Sequence, residues 1–347
     1  IFSFFTRREM HRIRADLVIP GAATPIQNGV VVIKDGVIAY VGQASSEPVQ
    51  DKAYDTDVKV PILMPGLWDC HVHFFGLNEA AWSRHPGKDS LGIVAITSAP
   101  VAVARNIAAL QTLLKYGITS VREVGGYGLF LKTLVNEGTI PGPNIYAAGK
   151  FLSIIGGHSD FHELPLHFAC HLSKTDNITS LVTGKDECLA AVRKNIRDGA
   201  DLIKFHATGG AASLNDKIDA RQFSNEEIKA ITEEAHRLHV SVATHCHGRE
   251  GLEAVINGGV HTVEHGSWLD DDLAQKMVRN GQMLVPTRYI VEFCADSVLG
   301  GDASADPKTI EKIKYVVDKN RNALQVAIKN GVRIAMGTDM GVWNHWG

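Results

Sequence analysis

Two imidazoles on alternate positions, His71 and His73, close the apolar part of the stretch LWDCHVHFFG at residues 67–76. In an extended strand successive side chains alternate faces, so this pair points one way while Cys70, Val72 and Phe74 point the other. Two nitrogen ligands placed like this can share one cation. Alternate polar residues also arise wherever one face of a strand meets water, so the pair acquires chemical meaning only with partners elsewhere. The chain offers four: Lys204 in DLIKFH, His245 in THCHG, His265 in VEHG and Asp339 in GTDMG. Lys204 is the most telling, because an ammonium in an apolar strand is costly to bury unless it is paired or loses its charge. The plainer alternatives are that Lys204 snorkels to the rim or pairs with Glu123 or Asp339. His247 stands two positions from His245, and one of these two is expected to support rather than ligate.

These residues are far apart in sequence, so a scaffold must gather them. After Pro61, short Val/Ile-rich runs alternate with longer segments of helical period, the pattern of repeated βα units around a parallel sheet. Eight runs are found, at residues 62–73, 118–126, 144–152, 200–210, 239–248, 261–266, 283–290 and 333–341. Eight such units predict an α/β fold, a (β/α)8 TIM barrel over residues 61–347. His71, His73, Lys204, His245, His265 and Asp339 all fall in or at the carboxyl ends of its strands, the face that holds TIM-barrel active sites. Between runs, SNEEIKAITEEAHRLH carries the Ser224–Glu227 spacing of a capping box and an apolar stripe at Ile228, Ile231 and Ala235. Residues 1–60 read differently, as β-rich runs broken by PGAATP and by Asp35-Gly36, a hairpin signal; they predict a small β-sandwich domain.

Composition narrows the partners. The chain has 347 residues, is 45% hydrophobic and carries a formal net charge of -3. That length holds a barrel of about 250 residues plus a small domain. The charge provides no basic stripe, which argues against nucleic acid as a partner. Five cysteines, Cys70, Cys170, Cys188, Cys246 and Cys294, show no C-x-x-C spacing, so a reduced protein is expected. The opening IFSFFTRREMHRIRA has its basic residues after the apolar patch, the reverse of a signal peptide, and it lacks an initiator Met. No run approaches the roughly 20 apolar residues of a bilayer span, so a soluble protein is expected.

The series H-x-H, Lys, His, His, Asp over strands one, four, five, six and eight resembles the binuclear centre of the amidohydrolase superfamily. The text PGLWDCHVH, IKFHATGG, ATHCHG, TVEHG, GTDMG and GGHSD is similar to its imidazolonepropionase and prolidase-like branch, which includes fungal ochratoxin-hydrolysing amidases. The resemblance implies N6-carboxylation of Lys204, whose carbamate would bridge two divalent ions. His71, His73 and Asp339 would hold one ion and His245 and His265 the other. Such ligands suit zinc. Asp339 would also carry the proton from water to the leaving amine, and His158 would donate to the developing oxyanion. The implied activity is hydrolysis of an amide or peptide-like C–N bond in a small-molecule or dipeptide-like substrate, by a homo-oligomer. A cyclic-amide hydrolase of the imidazolonepropionase kind, a deaminase and a non-catalytic barrel scaffold are the alternatives; Lys204 weighs against a mononuclear deaminase, and the full ligand set, Asp339 included, against the scaffold.

Arg288, after LVPT at the end of the seventh strand, is the candidate to pair with a substrate carboxylate; the alternative is an ion pair with Glu123 or Asp270. The segment 160–183 is long for a βα loop and carries His162, His167 and His171, for which a solvated or lid-packing role is expected and no metal role. The chain ends in VWNHWG without a last barrel helix or return strands for the small domain, so it looks like a fragment of a longer protein.

Overall fold

A computed structural model describes residues 9–49, 53–85, 90–175, 178–211, 213, 215–299 and 307–341. The chain divides into two compact units, Ile1–Leu67 and Trp68–Gly347. The closing VWNHWG lies outside the described residues.

In the first unit, β1 (Met10–Val18), β2 (Ile26–Lys34), β3 (Val37–Gln43) and β4 (Thr56–Leu63) form one sheet in the order β3-β2-β1-β4. Asp35 and Gly36 both take positive φ, 53° and 78°, as a two-residue turn between antiparallel strands requires. Alternate positions of β2 feed two small apolar clusters, Val30 and Val32 with Met10, and Val31 with Ala15 and Val18. The described residues of this unit form a single sheet, whereas a sandwich needs a second. The boundary also differs from the expected Pro61. Thr56–Leu63 pairs parallel to β1, and the irregular Met64-Pro65-Gly66 separates it from the first barrel strand. Proline has no N–H to continue a ladder, so one apolar run becomes two strands.

The second unit contains β5 (Leu67–Val72) from Trp68 on, and β6 (Ile118–Glu123), β7 (Asn144–Ala147), β8 (Phe151–Ser153), β9 (Thr179–Leu181), β10 (Leu202–His206), β11 (Ser241–Cys246), β12 (Thr262–His265), β13 (Met283–Val285) and β14 (Arg333–Ile334). Ladders run β5-β6-β7 and β14-β13-β12-β11-β10-β8-β9. The run at 144–152, expected as one strand, is broken at Gly149, whose φ is +70°. Its first half pairs with β6 and its second with β10. The ring closes where Val72 bridges Met340 in parallel and Asp339 N donates to His71 O at 2.7 Å. This is the TIM barrel, with β9 as an addition beside β8.

Alternation decides which side chains enter the barrel. Ile203 and Phe205 pack outward with Ile228, Ile231, Leu252 and Val255, each buried apolar side chain contributing about 1.5–3 kcal/mol. Leu202 and Ala243 fill the interior, and Lys204 and His245 lie two residues further toward the carboxyl end. Ser224 and Glu227 make the predicted capping box on helix Asn225–Arg237. Among the described residues no helix is long and apolar enough to cross a membrane.

Candidate metal centre

The turns that present the site are held by unusual backbone. His265, the last residue of β12, Thr287, two residues after β13, and Asp339, five residues after β14, have φ of 69°, 46° and 61°, a region that residues other than glycine seldom occupy. Asp69 staples the last of these turns to β5. It accepts from Thr338 N at 3.0 Å, from Thr338 Oγ1 at 2.5 Å and from His71 N at 3.1 Å. Asp339 is thereby brought against the H-x-H pair, with Oδ1 3.4 Å from His71 Nε2 and 3.3 Å from His73 Nε2.

The donor set fits metal binding. Two buried groups, His71 with His265 and Asp339, and His245 with His247 and His265, each keep their ligand atoms within 4.8 Å of one another. Four of the imidazoles have a partner on Nδ1, which leaves Nε2 for the centre. His71 Nδ1 meets Glu264 Oε2 at 2.8 Å and His73 Nδ1 meets Gly125 O at 2.7 Å. His265 Nδ1 meets Thr287 Oγ1 at 2.7 Å and His247 Nδ1 meets Ser267 Oγ at 2.8 Å. Such outer contacts orient ligating histidines in metal sites. His245 uses Nε2 on Gly209 O at 2.9 Å, leaving Nδ1.

Burial sets the charge states. It pushes the His71 imidazole down to about 4 and the Lys204 ammonium down to about 8, the latter against the pull of Glu264 and Asp339. Burial alone would raise the Asp339 carboxyl, but His71 and the hydrogen bond with His73 hold it well below the ordinary range. Glu264 is likewise held down against burial by Arg122, 2.7 Å away, and by His71. Neutral imidazoles beside ionised acids are the protonation states that bind cations.

His71, His73, His158, Lys204, His245, His265 and Asp339 line one cavity, walled on its other side by Phe75, Leu91, Ile290, Val291, Ile313 and Val316. The structure does not bring Arg288 to it. Arg288 starts the helix Arg288–Leu299 and its guanidinium bonds Asn320 Oδ1 at 2.5 Å and pairs with Glu292. Neither rim acid named for it is its partner: Asp270 receives Arg249 at 2.8 Å, and Glu123 lies under the turn at 125–128. In the segment 160–183, His162 Nε2 bonds Gly157 O at 2.9 Å and the His167 ring packs against Phe168 at a tilt of 36°. Neither metal-capable group among the described residues includes His162, His167 or His171. Sequence reasoning missed Glu264 and His206. The period of two was the available signal for His206, which shares its strand face with Lys204.

Glu123 packs so closely under its glycine turn that a Cβ at Gly126 would lie 2.3 Å from Oε1. Burial pushes this carboxyl up to about 8, against the neighbouring amides of Phe74, Gly125 and Gly128. The folded chain therefore binds this proton more tightly than the unfolded chain, whose glutamate titrates near 4.5. Its stabilisation is complete below that value and is lost as pH rises through about 8. For Glu123→Gln, Tm relative to wild type is expected to rise between about pH 5 and pH 8 and then level off. A Tm difference independent of pH would show that Glu123 is already ionised.

The Amidohydrolase family pattern matches residues 62–343. Ochratoxinase of Aspergillus niger is 35% identical over 343 residues, 94% of this chain and 68% of that protein. Its crystal structure superposes with a TM-score of 0.86 at 34% identity, covering 96% of this chain and 76% of the other. A Xaa-Pro dipeptidase with methionine bound in its active site gives 0.83 at 29% identity, covering 97% and 81%. Imidazolonepropionase of Agrobacterium fabrum is 24% identical over 281 residues, 75% of this chain and 62% of that protein. With that shared pattern running from before the first barrel strand to beyond Asp339, the chain belongs to the amidohydrolase family and is a hydrolase.

Proposed function

We propose that this hydrolase is a binuclear metal-dependent amidase acting on acyl-amino acids or dipeptide-like amides. The observation that carries the reading is the buried convergence of His71, His73, Lys204, His245, His265 and Asp339, with outer partners that turn ligand nitrogens inward. His71, His73 and Asp339 would hold one zinc and His245 and His265 the other, with N6-carboxylated Lys204 between them and His247 in support. Bound divalent ions in such a site acidify water and polarise a carbonyl. Asp339 accepts the proton of the attacking water and delivers it to the leaving nitrogen. The wall of Phe75, Leu91, Ile290, Val291, Ile313 and Val316 receives an apolar group flanking the scissile bond. His158 lines the same cavity; the oxyanion-donor role expected of it requires a hydrogen on the nitrogen that faces substrate.

The test is a panel of N-acyl amino acids, each offered as free acid and as its amide, cleaved by protein of measured metal content. Turnover that tracks bound metal supports the reading; turnover unaffected by full metal removal overturns it. In the same panel Arg288→Met is expected to change the acid-over-amide ratio of kcat/KM by less than about twofold, since Glu292 and Asn320 already occupy the guanidinium. A collapse of that ratio would restore Arg288 as the carboxylate anchor.

A further inference from the structure

A second polar network, outside the proposed ligands, reaches the cavity through His158. The His158 ring lies flat on Gly210, where a Cβ would come 2.3 Å from Cε1, 2.5 Å from Nδ1 and 2.6 Å from Nε2. Its Nδ1 is 2.8 Å from Ser213 Oγ, and Ser213 Oγ is 2.5 Å from Asp216 Oδ1. The Asp216 side chain is 4% exposed. It also receives Lys312 Nζ at 3.0 Å on Oδ1 and Gly210 N at 3.1 Å on Oδ2. Lys312 is held in turn by Gly210 O at 3.0 Å and Ser213 O at 2.6 Å.

The hydrogens in this chain can be counted. An ammonium and a backbone N–H both donate to Asp216, so it is an ionised acceptor. Ser213 has one hydroxyl hydrogen, and the carboxylate at 2.5 Å claims it over Gly210 O at 3.4 Å. Its oxygen can then only accept from His158, which places the imidazole hydrogen on Nδ1. On the amidase reading two divalent ions lie in the same cavity as this ring, which packs against the proposed ligand His245. Cations so near disfavour a second proton, and an uncharged imidazole that donates at one nitrogen accepts at the other.

We propose that Ser213 and Asp216 are positioning residues that fix His158 as the Nδ1–H tautomer, so that Nε2 meets the substrate as a hydrogen-bond acceptor. Taken with the amidase reading, on which the substrate side of this inference rests, the group it recognises is the N–H of a secondary amide. This is the opposite polarity from an oxyanion donor. Lys312, from the helix Pro307–Asn330, keeps the carboxylate charged and in place.

The experiment has two readouts on the full chain with its metals. Two-bond 1H–15N correlation spectra of histidine-labelled protein, with His158→Gln for assignment, are expected to show the hydrogen on Nδ1 in wild type. In Ser213→Ala it should shift toward Nε2, and in Ser213→Thr, which keeps the hydroxyl, it should return to Nδ1. Kinetically, Ser213→Ala and Asp216→Asn should each lower kcat/KM for a secondary amide about 10–100-fold, with bound metal unchanged. The two together should cost no more than either alone, as for residues acting in one unit. The preference for a secondary amide over its N-methyl counterpart should fall with them. A wild-type hydrogen on Nε2, or additive losses with the preference intact, overturns the proposal. Absence of any amide turnover beside an Nδ1–H His158 would instead overturn the amidase reading.

Discussion

Asp339→Asn is expected to lower kcat by about 10²–10⁴-fold while leaving KM nearly unchanged. Asparagine keeps the shape of the side chain and an oxygen toward His71 and His73, 3.4 and 3.3 Å away in the native chain. It cannot take a proton at neutral pH. The loss therefore falls on an interaction made during the reaction rather than on substrate binding. Steady-state kinetics on protein of matched metal content check this. Equal kcat values for the two proteins would assign the proton transfer to another group.

Lys204→Ala should empty the centre as well as silence it. Lys204 is 1% exposed at the heart of the barrel, with Glu264, Asp339 and Glu123 the acids acting on it. Removing it takes away the proposed bridging carbamate and leaves a void among buried acids, so metal affinity and turnover are expected to fall together. Metal quantitation per chain, with 13C-bicarbonate labelling of wild type to observe the carbamate, measures both halves of the expectation. A variant that keeps two metals and full turnover would dispose of the bridging role.

Much of the centre was legible because strand alternation is a local property. His71 and His73 share a face wherever residues 67–73 are extended, and Lys204 points inward once Ile203 and Phe205 are buried outward. The capping box at Ser224 and the turn at Asp35-Gly36 were readable for the same reason, since each is decided within four residues of chain. A run of βα units then leaves few closures, and a barrel gathers its strand ends at one face.

Direction and pairing at long range were decided only by the tertiary structure. The apolar run from Pro61 reads as one strand, yet it divides at Pro65-Gly66 because β1 offers its edge to Thr56–Leu63. Arg288 sits at the right strand end but turns to Asn320, 32 residues on, where a buried amide and Glu292 compete for its guanidinium. Glu264 orients His71 across 193 residues, and Lys312 reaches Asp216 across 96. Residue type and period determine which side chains can enter the barrel. Which of them meet there depends on the packing of whole elements, because a buried charge or imidazole takes whichever partner the closed ring brings within hydrogen-bond distance.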